Sequence, residues 1–333
     1  MTSCGSSTLE FQNKINDKAE VYDYTIVFGS CNRQDEPQPL WIAILKNEPD
    51  LFLWGGDNIY ADTKNMAKME ADYQKQLKHK DYQKLLETTP VLGTWDDHDY
   101  GKNDGGKEWE YKEESQQLFL DFFAVPKDSP RRKQEGVYVA EIFEQNGKAI
   151  KVIILDTRYF RSKLKASNAS DKRYEDNENG TILGQKQWAW LTNELRNSTA
   201  NYNLVLSSIQ VLSGEHGFET WGNFPSEVQK MEKLILNSEA KNVILLSGDR
   251  HISEFSKKEL PGLNYPLVDF TSSGLTHSYS NFSGEPNEYR MGKVVSDLSF
   301  GLLKFDFDAG KVKMEMRGKN NVLQQEIIID YIE

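Results

Sequence analysis

Cysteine is nearly missing from this chain: only Cys4 and Cys31 occur among 333 residues. A disulfide framework is therefore excluded as the organising device, and a lone Cys4–Cys31 bond would have to join a polar tail to the end of a buried strand. No apolar run approaches the ~20 residues of a membrane-spanning helix; the longest, at 150–155 and 243–246, are strand-length. An excess of basic charge is lacking as well. With 40 Lys+Arg against 51 Asp+Glu, the formal net charge of −11 argues against a surface built for nucleic-acid polymers. Repeats and low-complexity linkers are also absent, which leaves the composition of an ordinary folded globular chain.

Residues 1–20 are polar and aperiodic and read as a tail or linker, with one folded domain over 21–333. Two readings of Met1-Thr2-Ser3-Cys4-Gly5-Ser6-Ser7 stand side by side. One is the end of a bacterial lipoprotein signal, with Cys4 lipidated and the protein tethered outside the cytoplasm, periplasmic or on the cell surface. The other is a polar tail with an incidental cysteine.

From Tyr24 onward, short β-branched and aromatic runs at 24–28, 51–54, 91–94, 150–155, 204–207 and 243–246 read as buried strands. Helical patterns near 40–46, 64–86, 108–123, 185–196 and 227–236 alternate with them, the mark of βα units and a mainly parallel sheet. Asn146-Gly147 predicts a hairpin between 137–143 and 149–155. Three runs at 302–307, 311–317 and 322–329 predict a meander at the edge of a second sheet, and 167–179 and 271–292 read as loops.

The unusual residues fall just past strand ends, where ligands bind in α/β sheets. The first strand runs into Gly29-Ser30-Cys31-Asn32-Arg33, and the second into Gly55-Gly56-Asp57-Asn58-Ile59-Tyr60-Ala61-Asp62. The third runs into Trp95-Asp96-Asp97-His98-Asp99, and the last into Ser247-Gly248-Asp249-Arg250-His251. Taken singly, each has an ordinary explanation: a buried thiol, a Gly-Asp turn, an acidic helix cap. Taken together they bring a thiol, a phenol, carboxylates and imidazoles to one edge, and acids packed around a histidine repel one another unless a cation is present. The expectation is a metal site.

These clusters resemble the alkaline phosphatase D (PhoD-like) family of calcineurin-like metallophosphatases, with weaker matches at Leu155-Asp156-Thr157-Arg158, Gly184-Gln185-Lys186-Gln187-Trp188 and Ser207-Ser208-Ile209-Gln210. The resemblance implies a four-layer αββα sandwich in which two mixed β-sheets face each other. It implies a binuclear centre bridged by Asp57, with Cys31, Tyr60 and His251 completing one site and Asp97 and Asp249 the other. Fe3+ with Ca2+ is the expected pair, since thiolate and phenolate suit ferric iron and an oxygen-rich site suits a hard cation; Zn, Mn or Mg are also compatible. The family's fuller pattern carries a β-rich N-terminal domain, for which the residues before Tyr24 are too few, so the chain resembles the shorter members.

The implied reaction is hydrolysis of a small phosphate ester. In the resemblance His98 takes the position that protonates the leaving alkoxide; Asp99, next in sequence, is a candidate to orient the ring, and Arg33 and Arg250, inside the motifs, either grip phosphate oxygens or pair with local acids, with Arg158 a lesser candidate. Asn103 and Asp62 are candidates for the second metal's surroundings, and Gln210 falls where the superfamily often has a histidine ligand. His216 and His277 read as rim residues without ligand-like neighbours, and Trp54 and Trp95 as packing beneath the loops. A phospholipase-C-like phosphodiesterase and an inactive metal-dependent binding protein are the rival readings. A monomer is assumed.

Overall fold

The computed structural model describes residues 21–331; the tail at 1–20, including Cys4 and its proposed lipidation, lies outside the described residues. Among those described, no helix is long and apolar enough to cross a membrane.

Two large sheets carry the structure. The strands of the first are β1 (Tyr24–Gly29), β2 (Leu51–Gly55), β3 (Val91–Thr94), β13 (Phe300–Asp306), β14 (Lys311–Arg317) and β15 (Leu323–Asp330), in the order β15-β14-β13-β1-β2-β3. Those of the second are β4 (Val139–Gln145), β5 (Lys148–Ile154), β8 (Tyr202–Leu206), β9 (Val243–Ser247), β10 (Ser253–Lys258), β11 (Leu267–Ser272) and β12 (Arg290–Val295), in the order β12-β10-β11-β9-β8-β5-β4. Between them in sequence lies a short ribbon of β6 (Lys165–Ala166) and β7 (Tyr174–Glu175). In the first sheet β1, β2 and β3 run parallel, with β3 at one edge, and β13 joins β1 antiparallel; in the second β5, β8, β9 and β11 run parallel, with β4 and β10 added antiparallel.

Side-chain alternation explains the layering. On β1, Tyr24, Ile26 and Phe28 face the second sheet, while Val27 faces the helices α1 (Trp41–Leu45), α2 (Met66–Leu77), α3 (Lys80–Thr88) and α5 (Lys112–Phe122). β2 does the same, with Leu51 and Leu53 on one face and Phe52 and Trp54 on the other. Phe28 meets Phe270 edge-on at 4.8 Å, and Tyr202 meets Phe305 at 5.1 Å, so aromatic pairs stitch the two sheets together. Lys151, on the opposite face of β5 from Ile150 and Val152, extends to the backbone of Glu194 in α6 (Gly184–Arg196), which with α7 (Pro225–Ser238) covers the outer side of the second sheet. The result is the expected αββα order.

Three expectations need correction. The meander β13–β15 does not edge a second sheet; β13 pairs antiparallel with β1 and extends the first. The helix expected at 64–86 breaks at Lys78 and His79 into α2 and α3, so that Tyr82 and Leu85 turn onto Trp41 and Trp54. The loop expected at 271–292 begins in β11 and ends in β12, while 167–179 includes β7.

Candidate active site

Strands β1, β2 and β3 of one sheet and β5, β8, β9 and β11 of the other end at the same edge, and their carboxyl-terminal loops interlock. Asn32 donates its backbone N–H to the carbonyl of Asp57 at 2.9 Å, Gly248 to Ser208 at 3.1 Å and Leu275 to Ser30 at 3.2 Å. The backbone turns sharply at the candidate ligands themselves. Cys31, Asp57, Asp249 and His251 all adopt left-handed φ values, of 61°, 49°, 69° and 54°. For residues with a Cβ this costs about 1–3 kcal/mol each and persists where the surroundings over-determine it, as at functional sites. Gly56 sits at φ 101°, and a Cβ there would lie 2.6 Å from Cβ of Asp96; only glycine lets the second and third loops approach this closely.

Asp57 is the hub. Its Oδ2 lies 3.4 Å from Cys31 Sγ and 3.1 Å from the Tyr60 hydroxyl, which in turn lies 3.1 Å from Nε2 of His251. Its Oδ1 turns the other way and accepts the backbone N–H of His98 at 3.3 Å. Two donor groups therefore share this residue: Cys31, Asp57 and His251 on one side, and Asp57, Asp97 and His98 on the other, with Asp249 joining Asp96 and Asp97 nearby. Either group could hold a metal ion.

The electrostatics fit that role. Burial, reinforced by Asp97, Asp96 and Asp99, pushes the Asp57 carboxyl well above its usual range, against the pull of His98. Asp249 is raised in the same way by burial, Asp96 and Asp97. Burial beside Asp57 also raises the Cys31 thiol and the Tyr60 phenol. His251 is pushed down to about 4 by burial and by the neighbouring His98 and Arg250. Of these carboxyls Asp97 falls, since His98 and Arg158 outweigh its burial, and its Oδ1 is buried without a hydrogen-bond partner. Acids, a thiol and a phenol held dry together favour a cation among them, which would reverse the upward shifts.

Above these groups opens a cleft of about 200 Å³ lined by His98, Asn103, Arg173, Phe218, Arg250 and His251. The His98 ring stacks on Tyr60 at 4.1 Å. Its Nδ1 is held at 2.7 Å by Asp62, not by Asp99. The expected orienting role of Asp99 is thus corrected: Asp99 is fully buried, accepts from the Asp96 backbone at 2.7 Å and from Asn58 Nδ2 at 2.6 Å, and closes the capping box of the one-turn helix α4 (Asp97–Tyr100). Burial opposes charge on His98, but Asp57, Asp97 and Asp62 prevail and raise it to about 11.

The arginines separate by environment. Arg33 lies over the Tyr60 ring at 4.6 Å. Arg250 lines the cleft with its guanidinium 4.2 Å above the Phe218 ring, held by Glu285 through contacts of 2.7 and 2.8 Å. Arg158 is fully buried between Asp96 and Glu219 and is not available to a substrate. Gln210 is likewise turned away, donating to Glu254 at 2.8 Å and Thr271 at 2.9 Å. Trp54 and Trp95 are fully buried beneath the loops, as expected. His216 accepts a backbone N–H from Phe218 at 3.2 Å.

Two residues stand in places other than those read from the sequence, Asp62 having been a candidate for the second metal's surroundings. Asp62 is the partner of His98, and His277, read as a rim residue, lies with its Nε2 3.2 Å from that of His251 and its ring 5.0 Å from Tyr60. The signal for His277 was its place just after β11, a further parallel strand ending at the same edge.

Comparison with known proteins agrees with this architecture. The alkaline phosphatase D of Bacillus subtilis (strain 168) is 25% identical over 306 residues, covering 77% of this chain and 52% of the relative. The chain thus spans about half the length of that relative. Among solved structures, one described as the structure of PhoD superposes with a TM-score of 0.73 at 18% identity, covering 95% of this chain and 72% of the other. A second, GAP50, the anchor in the inner membrane complex of Plasmodium, gives a TM-score of 0.62 at 12% identity, covering 94% and 90%. At these identities both bear on the fold alone. The family description PhoD-like phosphatase matches residues 26–278, most of the chain and every strand-end cluster described above, and the chain belongs to that family.

Proposed function

We propose that this protein hydrolyses small phosphate esters at a binuclear metal site bridged by Asp57. The observation that carries the reading is the division of labour within that one carboxylate: Oδ2 beside Cys31 and Tyr60, Oδ1 beside the loop of Asp97 and His98. Cys31, Asp57, Tyr60 and His251 would hold an ion suited to sulfur and phenolate, iron foremost. Asp57, Asp97 and Asp249 would hold a harder one such as calcium. Metals bound there would activate water and neutralise the charge that develops on a transferring phosphoryl group.

The chain's own groups supply the remainder. Asp62 fixes the His98 ring through Nδ1, which leaves Nε2 free to give a proton to a leaving oxygen at the cleft. Arg250 and Arg33 flank the same space and would grip phosphoryl oxygens, Arg250 by releasing Glu285. The cleft's volume and the net charge of −11 favour a small ester over a nucleic-acid polymer. The test is metal analysis of the purified protein, paired with turnover of a chromogenic phosphomonoester and phosphodiester. Bound metal and turnover lost to a chelator support the reading, and the faster substrate identifies the ester class. A protein that takes up no metal and turns over neither ester overturns it.

A further inference from the structure

The ribbon of β6 and β7 has no part in the reading above, yet its tip is built onto the rim of the cleft. Ser167 donates its N–H to the carbonyl of Arg173 at 2.9 Å, and Arg173 donates its own to the carbonyl of Gly217 at 2.7 Å. Gly217 sits at φ 80°, and a Cβ there would lie 2.6 Å from the carbonyl oxygen of Asp171; only glycine lets the two loops come this close. The backbone of Arg173 is thereby fixed where its side chain lines the cleft beside Phe218, Arg250 and His251.

Two guanidiniums share one aromatic ring there. Arg250 stands 4.2 Å from the centre of the Phe218 ring and Arg173 stands 5.2 Å from it. They differ in depth and in commitment. Arg250 is buried and clamped by Glu285, whereas the Arg173 side chain is 56% exposed and its carboxylate contact, Asp104, lies at 3.6 Å. That is an ion pair beyond hydrogen-bond length. Asp104 does not depend on it: its carboxylate accepts the Tyr174 hydroxyl, its N–H donates to Asp97 at 2.7 Å and its carbonyl accepts from Arg161 at 2.6 Å. The Arg173 fork is thus held at the mouth of the cleft with no carboxylate at hydrogen-bond distance among the described residues.

We infer that Arg173 recognises a second anionic group, carried by the leaving group of the ester. Under the proposed function, on which this rests, the metals and Arg250 take the phosphoryl group in the depth of the cleft, and what extends from there to the mouth is the ester's substituent. A guanidinium fork matches a carboxylate or a phosphate through paired N–H donors, and attraction to the Phe218 face keeps it in place. The preferred substrate is then a small ester with a second negative charge, and not the ester of a neutral alcohol.

The test uses the holoenzyme as wild type, Arg173→Met and Arg173→Lys, at low salt. It compares kcat/KM for phosphate esters of ω-hydroxy acids of graded chain length with kcat/KM for the matching amides, which have the same shape without the charge. Bisphosphates of the corresponding diols are run beside them, and the anion with the greater preference identifies the kind recognised. Wild type should favour the charged ester over the amide at one chain length or more, by at least about fivefold. Arg173→Met should lose that preference, whatever loss the esters suffer in common, and Arg173→Lys should keep part of it because the charge remains. The same ratio of charged ester to amide in Arg173→Met as in wild type, in both series and at every chain length, overturns the role of Arg173. So does a wild type that hydrolyses the esters without preference. Wild type that hydrolyses none of them overturns the proposed function itself, and the role with it. Circular dichroism checks the folding of each variant; if Arg173→Met fails to fold, Arg173→Gln decides by the same ratio.

Discussion

Asp62 and His98 are joined by a 2.7 Å contact between Oδ2 and Nδ1, although they come from loops that follow different strands. Asp62 itself adopts a left-handed φ of 43° to make it. A carboxylate in this position fixes the ring and favours its charged form, so Asp62 is a positioning residue for His98.

Asp62→Asn should lower kcat by about 10- to 100-fold while metal content is retained. The carboxylate helps to raise His98, so its loss should move the alkaline limb of the pH profile to lower pH. Asp62→Glu should restore part of the activity. Steady-state kinetics across pH, with metal analysis of each variant, checks all three outcomes.

Arg250 should act on substrate binding. Arg250→Met is expected to raise KM for a phosphomonoester by about 10- to 100-fold, the worth of one charge-assisted hydrogen bond, with metal content unchanged. Glu285→Gln weakens the clamp on the guanidinium and should lower KM. If the two variants shift KM in the same direction, Glu285 does not hold Arg250 in reserve.

Arg158 belongs to stability. It is fully buried, as are Asp96 and Glu219, to which it is paired, and Arg161 contacts the same glutamate at 2.9 Å. Arg158→Met leaves buried acids short of a counter-charge and should cost about 3–5 kcal/mol. Urea denaturation measures it; an unchanged midpoint would mean that Arg161 suffices.

Glu315 gives a pH signature remote from the site. Burial opposes its charge, but the hydrogen bond from Arg317 at 2.5 Å and the Lys304 ammonium at 3.1 Å hold its carboxyl below the ordinary range. A depressed folded-state value contributes stability that is present above the unfolded value of about 4.3 and is lost as pH falls through the folded value. Glu315→Gln should therefore be less stable than wild type at pH 7, by about 1–3 kcal/mol. The gap should narrow in acid, and urea melts at a series of pH values follow it.

The strand ends were legible because their chemistry is local. Glycines that permit sharp turns stand next to acids, a thiol and imidazoles that would be costly to bury together without a purpose. Which partners meet across loops was not legible. Asp99 is next to His98 in sequence, but as the third residue of a one-turn helix its carboxylate folds back onto the Asp96 N–H, and the ring is left to Asp62. His277 was hidden because β11 is buried on both faces and shows no alternation, so the loop after it did not register as another strand end. The break between α2 and α3 falls at Lys78-His79 without glycine or proline; packing of Tyr82 against Trp41 and Trp54 sets it. The face-to-face sheets followed from family resemblance, since periodicity places strands in layers without pairing the layers.

The central claim is that Asp57 bridges two metals. Its most direct test is metal stoichiometry of Asp57→Asn beside wild type, with phosphomonoester turnover measured on the same samples. The expected result is a folded variant with less bound metal and no hydrolysis. A variant that keeps the wild-type metal complement and full turnover would contradict it.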